Sequence, residues 1–165
     1  MKVKLSTNFG DMEIELNPEK APNTVKNFLS YVEKEFYNGL IFHRVIENFM
    51  IQGGGFTPDM EQKDPLFDSI ENEADNGLEN SKGSIAMART GEPHSATCQF
   101  FINVKDNAFL DHQAKTPQGW GYCVFGKLSA GEEVMEKIKS VETGNFAYHQ
   151  DVPNESVVIE KVELA

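Results

Sequence analysis

An antiparallel β-barrel or β-sandwich with two helices covering its open ends is the architecture that this chain's residue pattern predicts. Two observations carry that expectation. Short β-like runs broken by glycine recur along most of the sequence, and only two stretches show helical periodicity. The runs are Leu40 to Ile46, Phe49 to Gln52, Ser84 to Ala88, Gln99 to Val104, Tyr122 to Leu128 and Val157 to Leu164. No repeat and no linker interrupts them, so residues 1–165 read as one domain, long enough to bury a core. The 12 phenylalanines offset a hydrophobic fraction of only 39%.

Taken in order, Val3 and Leu5 alternate with lysines, and Met12, Ile14 and Leu16 alternate with acidic residues. With Asn8-Phe9-Gly10 between them as a tight turn, these make an N-terminal hairpin with one wet face. Pro22 opens a helix, where its missing N–H costs nothing. Val25, Phe28, Leu29, Val32 and Phe36 follow at helical spacing, and Asn38-Gly39 stops them. A second helix is predicted to start near Ser129, with Glu132 in capping-box register and Val134, Met135 and Ile138 as its buried face. Residues 56–81, rich in Pro, Asp, Glu and Asn, read as a long surface loop.

Charge narrows the partners. Lys and Arg number 15 against 26 Asp and Glu, a net charge of -11. A nucleic-acid duplex or an anionic bilayer would repel such a surface, and no basic tract offsets it. Behind Met1-Lys2-Val3-Lys4-Leu5 there is no apolar run, so neither a signal peptide nor a spanning segment is expected. Cys98 and Cys123 form no CxxC pair and sit among apolar neighbours, as buried free thiols do. A reducing compartment, the cytoplasm, is the corresponding expectation.

Several chemistries lack their residues. His43, His94, His112 and His149 are far apart, with no i,i+4 pair to begin a metal site. Gly53-Gly54-Gly55 is followed by no Lys-Ser/Thr and fails as a phosphate loop, leaving a tight turn or a close backbone approach. No serine sits in a nucleophile elbow, and acidic pairs such as Glu71 and Glu73 are expected by chance among 26 carboxylates.

Two stretches are more specific: Phe42-His43-Arg44-Val45-Ile46-Glu47-Asn48-Phe49-Met50-Ile51-Gln52-Gly53-Gly54 and Ser95-Ala96-Thr97-Cys98-Gln99-Phe100-Phe101-Ile102-Asn103. Strand alternation from Leu40 to Ile46 places Phe42, Arg44 and Ile46 on one face and His43 and Val45 on the other. An arginine on an apolar face needs solvent or a partner at a pocket rim. Both stretches resemble the cyclophilin family, and the resemblance extends over nearly all of the chain, through Gly121-Tyr122-Cys123-Val124-Phe125-Gly126. The short length and Asn72-Glu73-Ala74-Asp75-Asn76-Gly77 are most similar to the short cytoplasmic cyclophilins of bacteria.

That resemblance implies a closed eight-stranded antiparallel barrel with a helix over each end, and peptidyl-prolyl cis–trans isomerase activity without cofactor or metal. Arg44 matches the family arginine that donates to the prolyl nitrogen, and Gln52 and Gln99 match positions beside it and near the substrate carbonyl. Phe49, Met50, Phe101 and Leu110 match the proline pocket, while Ala88 and Arg89 match positions that contact substrate through backbone. Phe42 and Phe100 are assigned to packing, and His43 to a structural role.

Phe109 and Tyr122 stand where many eukaryotic members carry tryptophan and histidine, and Trp120 lies in a different loop. Binding of cyclosporin, the family's macrocyclic inhibitor, is therefore expected to be weak. The Thr90 to Thr97 loop is slightly longer than in common eukaryotic members, which bears on subsite preference. Implied partners are proline-containing peptides and unfolded or flexible proteins, met by a monomer. A proline-binding module or chaperone with negligible turnover is the alternative, and a ligand-free structural barrel a poorer one. Neither needs Arg44 together with both glutamines.

Overall fold

The computed structural model describes residues 1–165. The N-terminal hairpin forms as its alternation requires: β1 (Lys2–Thr7) and β2 (Gly10–Leu16) turn at Asn8 and Phe9. Val3, Leu5, Met12 and Ile14 are fully buried, while the lysines and carboxylates between them face outward. Eight strands make one antiparallel sheet in the order β10-β1-β2-β7-β5-β6-β4-β3. The further members are β3 (Arg44–Ile46), β4 (Met50–Gly53), β5 (Ser84–Met87), β6 (Phe100–Asn103), β7 (Val124–Ala130) and β10 (Ile159–Leu164). A separate hairpin, β8 (Thr143–Phe146) and β9 (His149–Pro153), packs beside β3.

The eight-stranded antiparallel architecture is as expected, but full closure is not. No strand ladder joins β3 to β10. The edges meet through the Ile41–Val158 bridge and through hydrogen bonds such as Phe42 N to Val157 O at 2.9 Å and Ile159 N to Leu40 O at 2.7 Å. Residues 40–46 are thus not one strand: the first part pairs with the C-terminal segment and only Arg44–Ile46 pairs with β4.

Helix α1 (Pro22–Glu33) starts at Pro22 and buries Thr24, Val25, Asn27, Phe28, Tyr31 and Val32. Its stripe runs through Tyr31 rather than Leu29, which is only partly buried, and it ends before Phe36, because Glu35 takes a φ of 55°. The capping residue is remote in sequence. Glu73 Oε1 accepts from the Thr24 N–H (2.8 Å) and hydroxyl (2.7 Å), setting a carboxylate at the positive helix end.

Helix α2 (Glu132–Lys139) buries Val134, Met135 and Ile138 as predicted. Its start differs. Ser129 belongs to β7 and its hydroxyl donates to Glu13 Oε1 at 2.9 Å, whereas Gly131, with a φ of 88°, is the N-cap. The capping box therefore does not form.

One cluster of 32 residues, fed by both helices and the inner sheet face, makes the barrel interior. Its aromatic heart is Phe28, Tyr31, Tyr37, Phe100 and Phe125, and the Tyr37 hydroxyl donates to the Cys98 carbonyl at 2.7 Å. Residues 56–81 contain a single short 3-10 turn, Ala74–Asn76, in keeping with a loop. No helix is long and apolar enough to cross a membrane.

Candidate active site

Pleating sends alternate side chains of β4, β5, β6 and β7 to opposite sides. Ile51, Ile85, Phe100, Ile102 and Phe125 go inward. Met50, Ala86, Phe101 and Val124 go outward and, with Leu110, form a second, five-residue apolar cluster on the outside of the sheet. Cross-strand register sets these side chains in a row, because Arg44 pairs with Gln52, Gln52 with Phe101, Phe101 with Ala86 and Ala86 with Val124. A guanidinium, an amide and an aromatic ring thus sit side by side across three strands.

Above that cluster lies a cavity of about 140 Å³ lined by Arg44, Phe49, Met50, Gln52, Ala88, Arg89, Phe101, Leu110 and Tyr122. Nine of the eleven residues singled out from sequence therefore converge on one depression. Met50, Phe101 and Leu110 are buried as its floor, and the Tyr122 ring meets Phe101 edge-on at 5.7 Å.

The other two lie at its margins. Phe109 is 67% exposed and stacks on Phe49 with centroids 5.6 Å apart, extending the wall outward. Gln99 stands behind Gln52, accepting from Gln52 Nε2 at 3.1 Å, while Gln52 Oε1 faces Arg44 Nη1 at a long 3.5 Å. Glutamine, glutamine and arginine form one polar line along the pocket edge.

Gly55 makes that line possible. A Cβ there would lie 2.5 Å from Gln99 Cγ, Cδ and Nε2, so the glycine run supplies the close backbone approach that its composition suggested. Arg44 itself is exposed and takes part in none of the ion pairs, despite 26 carboxylates in the chain. Phe42 does not share its face. It is fully buried in the barrel core with Val45, because Ile41 and Phe42 pair with the C-terminal segment and a new ladder, with β4, begins only at Arg44.

Arg89 is held differently. Its Nε and Nη2 donate to the Gly121 carbonyl at 3.1 and 2.9 Å, its Nη1 to the Thr90 carbonyl at 2.9 Å, and the guanidinium lies 4.4 Å over the Tyr122 ring. Trp120 packs between the rings of His94 and His112, away from the lining.

His43 is buried against Phe56 at 4.3 Å; burial, then His149 and Arg44, lower its pKa to about 4. Cys98 and Cys123 are free and buried, and burial raises the Cys123 thiol to about 11. No group of three or more His, Cys, Asp or Glu side chains converges as a metal site would require.

Sequence reasoning missed residues that support the pocket from behind. They are the buried asparagines Asn80, Asn103 and Asn107. The available signal was asparagine recurring beside the apolar Phe100-Phe101-Ile102 run, where amides are buried only with partners.

The chain matches the family model described as cyclophilin type peptidyl-prolyl cis-trans isomerase/CLD over residues 2–164. It is 60% identical to a peptidyl-prolyl cis–trans isomerase of Streptomyces antibioticus, covering 98% of this chain and 97% of that one. It is 56% identical to peptidyl-prolyl cis–trans isomerase B of Escherichia coli, covering 99% of each. A Cryptosporidium parvum cyclophilin-type isomerase, crystallised in the presence of the dipeptide Ala-Pro, superposes with a TM-score of 0.85 at 26% identity, covering 100% of this chain and 99% of that one. The chain belongs to the cyclophilin family of peptidyl-prolyl cis–trans isomerases.

Proposed function

We propose that this chain catalyses cis–trans isomerisation of X-Pro bonds in peptides and in unfolded or flexible proteins, assisting their folding, by stabilising the twisted amide without a covalent intermediate. Peptide rotation is slow because amide resonance must be lost, a barrier of roughly 20 kcal/mol. At the twisted geometry the prolyl nitrogen pyramidalises and regains a lone pair. A cation donating to that nitrogen binds the twisted form better than either planar one.

The observation that carries this reading is an arginine with no carboxylate partner, oriented by a glutamine, at the rim of an apolar pocket. In it the proline ring rests on Phe49, Met50, Phe101 and Leu110, and Ala88 and Arg89 offer backbone to the substrate strand. Gln52 steadies the guanidinium and Gln99 steadies Gln52, near the rotating carbonyl. Tyr122 and Phe109 wall the outer side. The same reading takes the chain to be a single-domain monomer of the cytoplasm, the last in keeping with its two buried free thiols.

The direct test is exchange NMR on a short Ala-Pro peptide. Faster cis-to-trans exchange with catalytic amounts of protein is the expected result. Binding without acceleration would make this groove a recognition module instead.

Cyclosporin affinity probes the outer wall. Phe109 supplies an exposed aromatic face but no N–H donor. Phe109→Trp is expected to tighten binding about tenfold, the effect of one added hydrogen bond, with turnover retained. Calorimetric titration giving equal affinities for the two proteins would refute it.

A further inference from the structure

Behind the pocket wall lie three asparagines to which isomerisation assigns no role: Asn80, Asn103 and Asn107, each no more than 1% exposed. Burying a primary amide is unfavourable unless its hydrogens find acceptors. Here all of them do. Asn107 Nδ2 donates to the Phe49 carbonyl (2.9 Å) and to Asn103 Oδ1 (2.8 Å). Asn103 Nδ2 donates to Asn80 Oδ1 (3.0 Å) and Ser84 Oγ (2.9 Å). Asn80 Nδ2 ends the series on Asp111 Oδ1 (3.1 Å) and the Tyr122 carbonyl (3.2 Å). From Asn107 to Asn80 the donors point one way: Asn103 Oδ1 and Asn80 Oδ1 each accept from the amide before them, while Asn107 Oδ1, at the head, is buried without a hydrogen-bond partner.

Both ends of the relay are pocket residues. Phe49 lies between β3 and β4 and Tyr122 just ahead of β7, and each lines the cavity. A third wall residue is tied in through the backbone, since the Leu110 N–H donates to the Asn107 carbonyl and the Leu110 carbonyl accepts from the Tyr122 N–H, both at 2.9 Å. The relay's centre is rigid. Asn103 sits on β6, two residues from Phe101 and opposite Met50. Wall residues on connecting segments move unless something fixes them, and here a buried amide fixes each to a strand of the floor.

We propose that the Asn107–Asn103–Asn80 relay is a positioning device that sets the width of the proline pocket, and with it substrate affinity, without acting on the chemistry at Arg44. The inference rests on the isomerase reading above. None of the three amides lines the cavity, so they act through Phe49, Leu110 and Tyr122. A relay that served stability alone would leave KM unmoved.

Exchange kinetics on an Ala-Pro peptide with wild type, Asn107→Ala, Asn107→Ser, Phe49→Ala and the double variant Asn107→Ala/Phe49→Ala test this. Asn107→Ala is expected to raise KM about tenfold, the usual effect of one lost buried hydrogen bond, with kcat within about twofold. Asn107→Ser, which keeps one donor, should recover part of the loss. Because Asn107 acts through Phe49, the double variant should be no worse than Phe49→Ala alone.

An Asn107→Ala protein with wild-type KM and only a lower melting temperature overturns the proposal, as do losses that multiply in the double variant. Should the alanine variant not fold, the serine variant decides: a raised KM supports the relay and an unchanged KM overturns it. A wild type that does not accelerate exchange defeats the isomerase reading, and the relay with it. An active wild type beside an unaffected Asn107 variant defeats the relay alone.

Discussion

Replacing Arg44 with alanine is expected to cut kcat/KM for an X-Pro peptide by about 10²- to 10³-fold, the range found when one preorganised donor to a developing charge is removed. Nearly all of that loss should fall on kcat. The groups that hold the proline ring are Phe49, Met50, Phe101 and Leu110, and none needs the guanidinium for its place. Arg44 is exposed and its one side-chain hydrogen bond is to Gln52, at 3.5 Å, so its removal leaves no buried group unpaired. A long contact of this kind in the unliganded protein is compatible with one that tightens around the twisted amide.

Arg44→Lys separates charge from geometry. Lysine keeps the positive charge but lacks the planar fork that Gln52 can orient, so it should restore only a small part of the rate. Kinetics and peptide titration on the same samples decide between roles. If affinity falls as far as kcat/KM does, Arg44 is a binding group and the transition-state assignment is wrong.

Where the residue pattern and the structure part company, the causes are specific. Alternation held wherever a strand has one wet face, as in β1 and β2, because a one-residue slip would bury lysine and glutamate. It failed across Phe42 and His43, where the chain leaves one partner for another and both side chains are buried. No local pattern reveals a change of partner that depends on residues 157–159. Ser129 and Glu132 have capping-box spacing, yet a glycine with positive φ supplies the turn instead, and the serine is drawn to Glu13 across the β2–β7 ladder. Glu73 likewise caps α1 from 49 residues away.

The pocket was legible for a different reason. Five of its nine lining residues lie in the two specific stretches, the family resemblance supplied Ala88, Arg89, Leu110 and Tyr122, and register then sets Arg44, Gln52 and Phe101 in a row. Its support was not legible. Nothing local marks Asn80, Asn103 and Asn107 as partners until the fold brings Asn103 within 3.0 Å of each of the other two amides.

Between pH 6.5 and 4 the protein is expected to lose about 3 kcal/mol of stability through His43 alone. The ring is buried against Phe56, with Phe56 also meeting His149 at 5.1 Å, and its Nδ1 has no partner in the protein. Burial above all, then the neighbouring His149 and Arg44, disfavours the imidazolium and lowers the pKa from 6.5 to about 4. The sign follows from where the proton goes. Above the ordinary histidine pKa neither state binds it. As pH falls, the unfolded chain takes it up while the native ring refuses it, so each unit removes about 1.4 kcal/mol until the native ring titrates as well.

Carboxylates act lower on the scale. Glu13, held down by Ser129 and Lys2, Glu136 by Lys139 and Lys82, and Glu163 by Lys161 lose their contributions as pH falls from the ordinary glutamate value of 4.5 downward. The interval above about pH 4.5 therefore isolates the histidine. His43→Phe keeps a ring on Phe56 and removes the titration. Urea midpoints at about pH 7.5, 5.5 and 4.5 should fall steeply for wild type and much less for the variant. Parallel curves would place the acid sensitivity elsewhere and leave His43 as a packing residue only. Because β3 begins at the next residue, a steep wild-type curve would also tie acid stability to the strand that presents Arg44.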